Sequence, residues 1–201
     1  MPSKNTGETK ILVINNRSES LEDLVNLLKN LNVKVEVRGP LENFNPNSYD
    51  GLIVSGGGFP RTEYRRILEW YCRFFENVEI PVLAICLGLK ILGYCNGSRI
   101  RRIRPGELGV TKITFFREYP LAPSIRELLV YENHDYELLN LREPLENYAS
   151  SERCRIQAVK HRFKPLFAVQ FHPEISKGND GPIIIGNFVS LCEGYKGNQS
   201  A

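Results

Sequence analysis

Val82-Leu83-Ala84-Ile85-Cys86-Leu87-Gly88-Leu89-Lys90 decides how the rest of the chain reads. Four apolar residues in a row predict a short strand buried on both faces, as in the interior of a parallel sheet. A helical pattern resumes directly after Cys86. Upstream, Ile11-Leu12-Val13-Ile14 is a similar apolar run, and Leu21, Leu24, Val25, Leu28 and Leu31 then recur at helical spacing. Val33, Val35 and Val37 alternate as a second strand. Leu52-Ile53-Val54 is a third and runs into Ser55-Gly56-Gly57-Gly58, and Arg61 to Phe75 reads as a helix. This order predicts a doubly wound α/β fold with a mainly parallel sheet and helices on both faces.

Downstream the pattern changes. Thr111 to Phe116, Glu127 to Tyr131, Arg155 to Val159 and Leu166 to Phe171 read as strands, with no helix until Pro182 to Cys192. Antiparallel strands are therefore expected to extend the parallel sheet. No Gly/Ser/Pro linker or repeat interrupts the chain. Residues 1–201 read as one domain, with 1–10 and 195–201 as flexible ends.

Composition narrows the classes. Hydrophobic residues make up 42% of the 201 residues and charged residues 24%, ordinary for a globular domain. A formal charge of +3 is too small to argue for nucleic acid or a membrane surface. No apolar run approaches a membrane span, and Met1 to Lys10 lacks the apolar stretch of a signal peptide, so a cytoplasmic protein is expected. The five cysteines include no CxxC pair and there are three histidines, so no metal site is expected. Cys72, Cys95, Cys154 and Cys192 read as reduced, buried thiols. Arg99, Arg101, Arg102 and Arg104 read first as a solvated strand or loop, then as a docking face for a partner.

Cys86 differs from the other thiols. A residue at a sharp strand-to-helix turn is pushed out at the carboxyl end of the sheet, where ligands bind in open α/β folds. The helix N-terminus favours a thiolate, and Gly88 relieves a crowded turn. The plain alternative is a buried cysteine at a strand end. Phe171-His172-Pro173-Glu174 ends another strand and offers what a cysteine nucleophile needs: His172 as base and Glu174 to orient it. The glycines after Val54 leave backbone N–H groups free to face a substrate oxygen. Gly57 and Leu87 are the expected oxyanion donors. A phosphate loop is disfavoured because no Gly-Lys-Ser/Thr follows.

Ser55-Gly56-Gly57-Gly58, Ala84-Ile85-Cys86-Leu87-Gly88 and Val169-Gln170-Phe171-His172-Pro173-Glu174 together resemble the class I glutamine amidotransferases in order and spacing. Within that family, Val130-Tyr131-Glu132-Asn133-His134-Asp135, Ala149-Ser150-Ser151-Glu152-Arg153-Cys154 and Ile156-Gln157-Ala158-Val159-Lys160-His161 look like segments of the separate amidotransferase subunits of archaeal GMP synthetases. The resemblance implies a Cys86–His172–Glu174 triad that releases ammonia from L-glutamine. It also implies Gly57, Lys90, Asn133 and His134 around the substrate. The partner would be an ATP-pyrophosphatase subunit carrying ATP and Mg and acting on xanthosine monophosphate, with no cofactor in this chain.

Three stretches depart from the family pattern. The elbow reads Cys86-Leu87-Gly88-Leu89-Lys90 where the family has Cys-Leu-Gly-His-Gln, so Lys90 is expected to reach the α-carboxylate of the substrate. Asn133-His134-Asp135-Tyr136 replaces Ser-His-x-Asp, with Tyr136 in the acidic position. Asn15-Asn16-Arg17-Ser18-Glu19 replaces Asp-Asn-Gly-Gly-Gln. Hydrolysis of another γ-glutamyl substrate and a catalytically impaired regulatory paralogue stay open as readings.

Overall fold

Alternation along the first strand settles which face of the sheet each helix covers. The structure, a computed structural model, describes residues 8–199. In β1 (Lys10–Asn16), Ile11 and Val13 enter one core, and Leu12 and Ile14 the other. Successive side chains of a strand point to opposite faces, so an unbroken apolar run requires cover on both. Helix α1 (Leu21–Asn30) covers the first face with Leu24 and Leu28, joined by α4 (Pro182–Gln199) with Ile184, Ile185 and Phe188. Helix α2 (Tyr64–Asn77) covers the other with Ile67, Tyr71 and Phe75, beside Leu89 and Ile91 of α3 (Leu87–Cys95).

The remaining strands are β2 (Lys34–Arg38), β3 (Gly51–Gly57), β4 (Val82–Ile85), β5 (Arg99–Phe115), β6 (Glu127–Asn140), β7 (Leu145–Ser150), β8 (Ala158–His161) and β9 (Leu166–Val169). They form one sheet in the order β2-β1-β3-β4-β9-β8-β7-β5-β6. Pairing is parallel from β2 through to β9 and antiparallel from β9 through to β6. The doubly wound mixed sheet expected from the sequence is present, with an antiparallel half larger than its apolar segments suggested.

Several boundaries differ from the sequence reading, each for a physical reason. The arginine run, read as a solvated strand or loop, is the exposed first part of strand β5. Arg101 pairs there with buried Glu137 at 2.6 Å and Arg102 with Asp135 at 3.4 Å, both across to β6. Strand β7, absent from the sequence reading, has only Leu145 and Ala149 buried, too few for a clear alternation. Helix α4 continues to Gln199, so 195–199 are helical, not a loose tail; 1–7 and 200–201 lie outside the described residues. The reading of Cys72 and Cys95 as reduced thiols is overturned. Their sulfurs are bonded at 2.06 Å and link α2 to the end of α3, because the two helices pack with these Cα atoms 5.0 Å apart. No described helix is long and apolar enough to cross a membrane.

Gly51, at the start of β3, lies where a Cβ would come within 2.3 Å of Cys192 Sγ and 3.4 Å of Phe188 Cζ, both on α4. Gly51→Ala should therefore lower stability by about 1–3 kcal/mol in denaturant titrations. The loss should shrink in a Cys192→Ala background, where the colliding sulfur is gone; an equal loss in both backgrounds would refute this contact as the cause.

Candidate active site

Strands β3, β4 and β9 lie side by side and parallel, with Val54 opposite Ala84 and Ile85 opposite Val169. Their carboxyl ends therefore emerge together and bring Gly56, Cys86 and His172 to one place. Cys86 joins β4 to α3 with φ +49° and ψ −93°, a conformation a side-chain-bearing residue rarely adopts. Its N–H donates to the Val169 carbonyl at 2.8 Å, which fixes the turn against β9. Gly88 allows that turn, since a Cβ there would lie 2.8 Å from the Val54 carbonyl oxygen. Gly56 is held equally tightly, with its Cβ position 2.9 Å from His172 Cε1 and 3.6 Å from Cys86 Cβ.

His172 is anchored from two directions. Its N–H donates to the Tyr131 carbonyl of β6 at 2.8 Å, and its Nδ1 lies 2.8 Å from Glu174 Oε1. Glu174 accepts a second hydrogen bond from Ser20 Oγ at 2.5 Å, just ahead of α1. With Nδ1 committed to Glu174, Nε2 is left for the side-chain interaction with Cys86. The structure thus brings Cys86, His172 and Glu174 together as a buried triad. Ser20 was missed by sequence reasoning. It lies 154 positions from Glu174, in a segment with no motif of its own.

Lys90 follows Cys86 by one helical turn, and its Nζ donates to Cys86 Sγ at 3.3 Å. The sequence reading expected this ammonium to reach the substrate's α-carboxylate; in the structure it lies against the Cys86 sulfur. Burial pushes the Cys86 thiol upward, but the Lys90 charge and the His172 hydrogen bond outweigh it and bring the thiol down to about 7. Burial disfavours a charge on His172, yet the Cys86 and Glu174 partners overcome this and raise it to about 10. The pair is therefore set up as thiolate and imidazolium. Cys154 and Cys192 move the opposite way, because burial pushes both thiols up.

The other predicted residues fall into place unevenly. Leu87 begins α3 directly after the nucleophile. Gly57, at φ +117°, ends β3 where a Cβ would strike the Asn16 carbonyl, so only glycine fits. Asn16 itself is buried. Its N–H donates to Ser55 Oγ and its Nδ2 to the Ser55 carbonyl, so the altered N-terminal motif still holds this turn. Asn133 contributes its carbonyl, 4.0 Å from Cys86 Sγ. His134 points into the buried face of β6. Its Nε2 lies 3.1 Å from both Glu107 and Glu132, and these carboxylates hold its pKa up at about 9 against the effect of burial. Tyr136 is exposed and engages His134 through its carbonyl. Gln170, not singled out from the sequence, places Nε2 3.8 Å from Cys86 Sγ.

This arrangement can carry out acyl transfer through a cysteine. The comparisons agree. The family described as glutamine amidotransferase class-I matches residues 12–192. A glutamine-hydrolyzing GMP synthase subunit of Thermoplasma volcanium is 31% identical over 189 residues, covering 93% of this chain and 94% of its own. Its namesake from Methanocaldococcus jannaschii is 30% identical over 191 residues, covering 92% and 98%. Among solved structures, a protein from Thermoplasma acidophilum assigned to the same GMP synthase component superposes with a TM-score of 0.86 at 26% identity, covering 97% of this chain and 99% of that one. A glutamine amidotransferase from Thermotoga maritima, at 18% identity and a TM-score of 0.72, shares the fold; the match covers 94% of this chain and 95% of that one. With its triad at the carboxyl ends of β4 and β9 and a family match across nearly its whole length, this chain belongs to the class I glutamine amidotransferases.

Proposed function

We propose that this chain is the glutamine-hydrolysing subunit of a two-chain GMP synthase and that Cys86, His172 and Glu174 carry its reaction. One observation supports this above the others: a low thiol at a strained elbow, with a histidine beside it that a carboxylate orients. The Cys86 thiolate attacks the side-chain amide carbon of L-glutamine. Negative charge gathers on the carbonyl oxygen, for which the N–H groups of Gly57 and Leu87 are the assigned donors. The tetrahedral adduct collapses as His172 gives its proton to the leaving nitrogen, and ammonia departs. Water, deprotonated by His172, then cleaves the glutamyl thioester to glutamate and restores the thiolate.

Lys90 holds the thiolate before substrate arrives, in our reading, and Asn133 flanks the substrate side through its carbonyl, with His134 behind it on the buried face of β6. The half-reaction needs no cofactor of its own. ATP and Mg belong to an ATP-pyrophosphatase subunit, which receives the ammonia for xanthosine monophosphate. We place the reaction in the cytoplasm, without nucleic acid or membrane.

The reading is tested by glutamate release from glutamine, measured with and without a purified ATP-pyrophosphatase subunit. Turnover with that partner is expected, and none for Cys86→Ser. Absence of turnover with the partner and xanthosine monophosphate present would overturn it. His172→Ala should lower kcat by about 10²–10⁴, with a smaller loss for Glu174→Ala, since the carboxylate orients and does not transfer the proton. Equal losses would refute that division.

The thiolate can be followed separately. Lowering a thiol's pKa makes its reactive form appear at lower pH, so alkylation of Cys86 should rise through a midpoint near pH 7. Lys90→Gln removes the adjacent positive charge and should move that midpoint upward by about one pH unit. An unchanged midpoint would show that the ammonium does not hold the thiolate.

A further inference from the structure

Below the catalytic pocket, the antiparallel half of the sheet buries an unusual group. Glu107 on β5 and His134 on β6 are direct cross-strand partners, and Glu132 lies two residues before His134 on the same face. Cys154, from the segment between β7 and β8, completes the group. All four side chains are buried, Glu132 and Cys154 fully. The register of β5 against β6 shifts between Arg102 and Glu107, and after that shift Glu107 turns inward.

Hydrogen bonding leaves this group short of positive charge. His134 Nδ1 lies 3.1 Å from the Tyr136 carbonyl, which can only accept, so Nδ1 carries a proton. His134 Nε2 then faces two carboxylates, each 3.1 Å away. Apart from the 3.1 Å approach of His134 Nε2, no oxygen of either carboxylate has a hydrogen-bond partner among the described residues. Buried carboxylates without partners are costly. A proton on Nε2 answers one contact and leaves the other oxygens unmet. A cation with several coordination positions answers them together.

The donors suit such an ion. One atom each of Glu107, His134 and Cys154 lie within 4.8 Å of one another. An ion about 2.1 Å from His134 Nε2 and from either glutamate oxygen would see them at an angle of about 95°. The Tyr136 carbonyl plays the part usual behind a metal-bound histidine, accepting from the ring nitrogen that faces away from the metal. A nitrogen, a thiolate and carboxylate oxygens match a borderline-soft divalent ion better than calcium or magnesium.

We propose that Glu107, His134 and Cys154, with Glu132 beside His134, form a buried structural site for one divalent transition-metal ion of the zinc class. Binding exchanges the Cys154 thiol proton, now directed to the Ile156 carbonyl, for the ion and releases that proton to solvent. The ion takes no part in glutamine chemistry. It ties β5, β6 and the Cys154 segment together behind Asn133.

The test uses the full chain, stripped with a chelator and reloaded with Zn²⁺ or Co²⁺. One ion per chain is expected by elemental analysis, with a thiolate-to-cobalt charge-transfer band. The band should persist in Cys86→Ser, which removes the catalytic thiol, and vanish in Cys154→Ser. His134→Gln should weaken Zn²⁺ binding by about 10–100-fold. Glu107→Gln leaves every thiol in place and should also weaken it, so the outcome does not depend on Cys154→Ser folding. Substoichiometric uptake by the unmodified chain, a band that follows Cys86, or unchanged affinity in both His134→Gln and Glu107→Gln would overturn the proposal. Because none of these readouts is glutamine turnover, the site and the proposed activity stand or fall separately.

Discussion

The parallel pairing of β4 with β9 is the constraint on which everything else in this molecule rests. Strands distant in sequence are locked with Ile85 opposite Val169. The Cys86 N–H then extends that ladder by one bond to the Val169 carbonyl. Cys86 and His172, 86 positions apart, thereby leave the sheet at the same edge. A slip of one residue in this register would turn His172 to the opposite face and dismantle the triad without removing any side chain. The apolar runs Val82–Ile85 and Leu166–Val169, each buried on both faces, make such a slip costly.

Much of this was readable from the sequence, and the reason is local chemistry. The strands of the parallel half are continuous apolar runs, and the triad lies in two compact motifs whose spacing carries meaning. The partners of those motifs were less visible. Ser20 and Gln170 act on Glu174 and Cys86 through contacts that exist only after β1, β4 and β9 have assembled. Strand β7 and the arginine-rich part of β5 carry too few buried residues to alternate clearly. The bond between Cys72 and Cys95 depends on how α2 packs on α3, which spacing alone cannot reveal. Glu107, His134 and Cys154, proposed to hold a metal, are likewise spread from 107 to 154, with none of the short intervals that mark a metal motif.

Lys90 shows how one substitution in a motif changes meaning once its neighbours are known. Read in sequence, a lysine replacing a neutral amide was a charge offered to the substrate. In the fold it is buried one turn from the nucleophile, where water cannot screen it and a thiolate lies in reach. The charge is drawn to the nearest anion. In this chain the electrostatic support of the Cys86 sulfur comes from Lys90 together with His172.

Strand β6 meets the catalytic pocket through the Asn133 carbonyl, and the next residue, His134, belongs to the buried carboxylate group. That carbonyl and the His134 nitrogen belong to one peptide unit, and a peptide unit is a rigid plate. The plate cannot tilt at one end and stay level at the other. Whatever holds the His134 Cα in place therefore bears on the angle of the oxygen that faces the sulfur above.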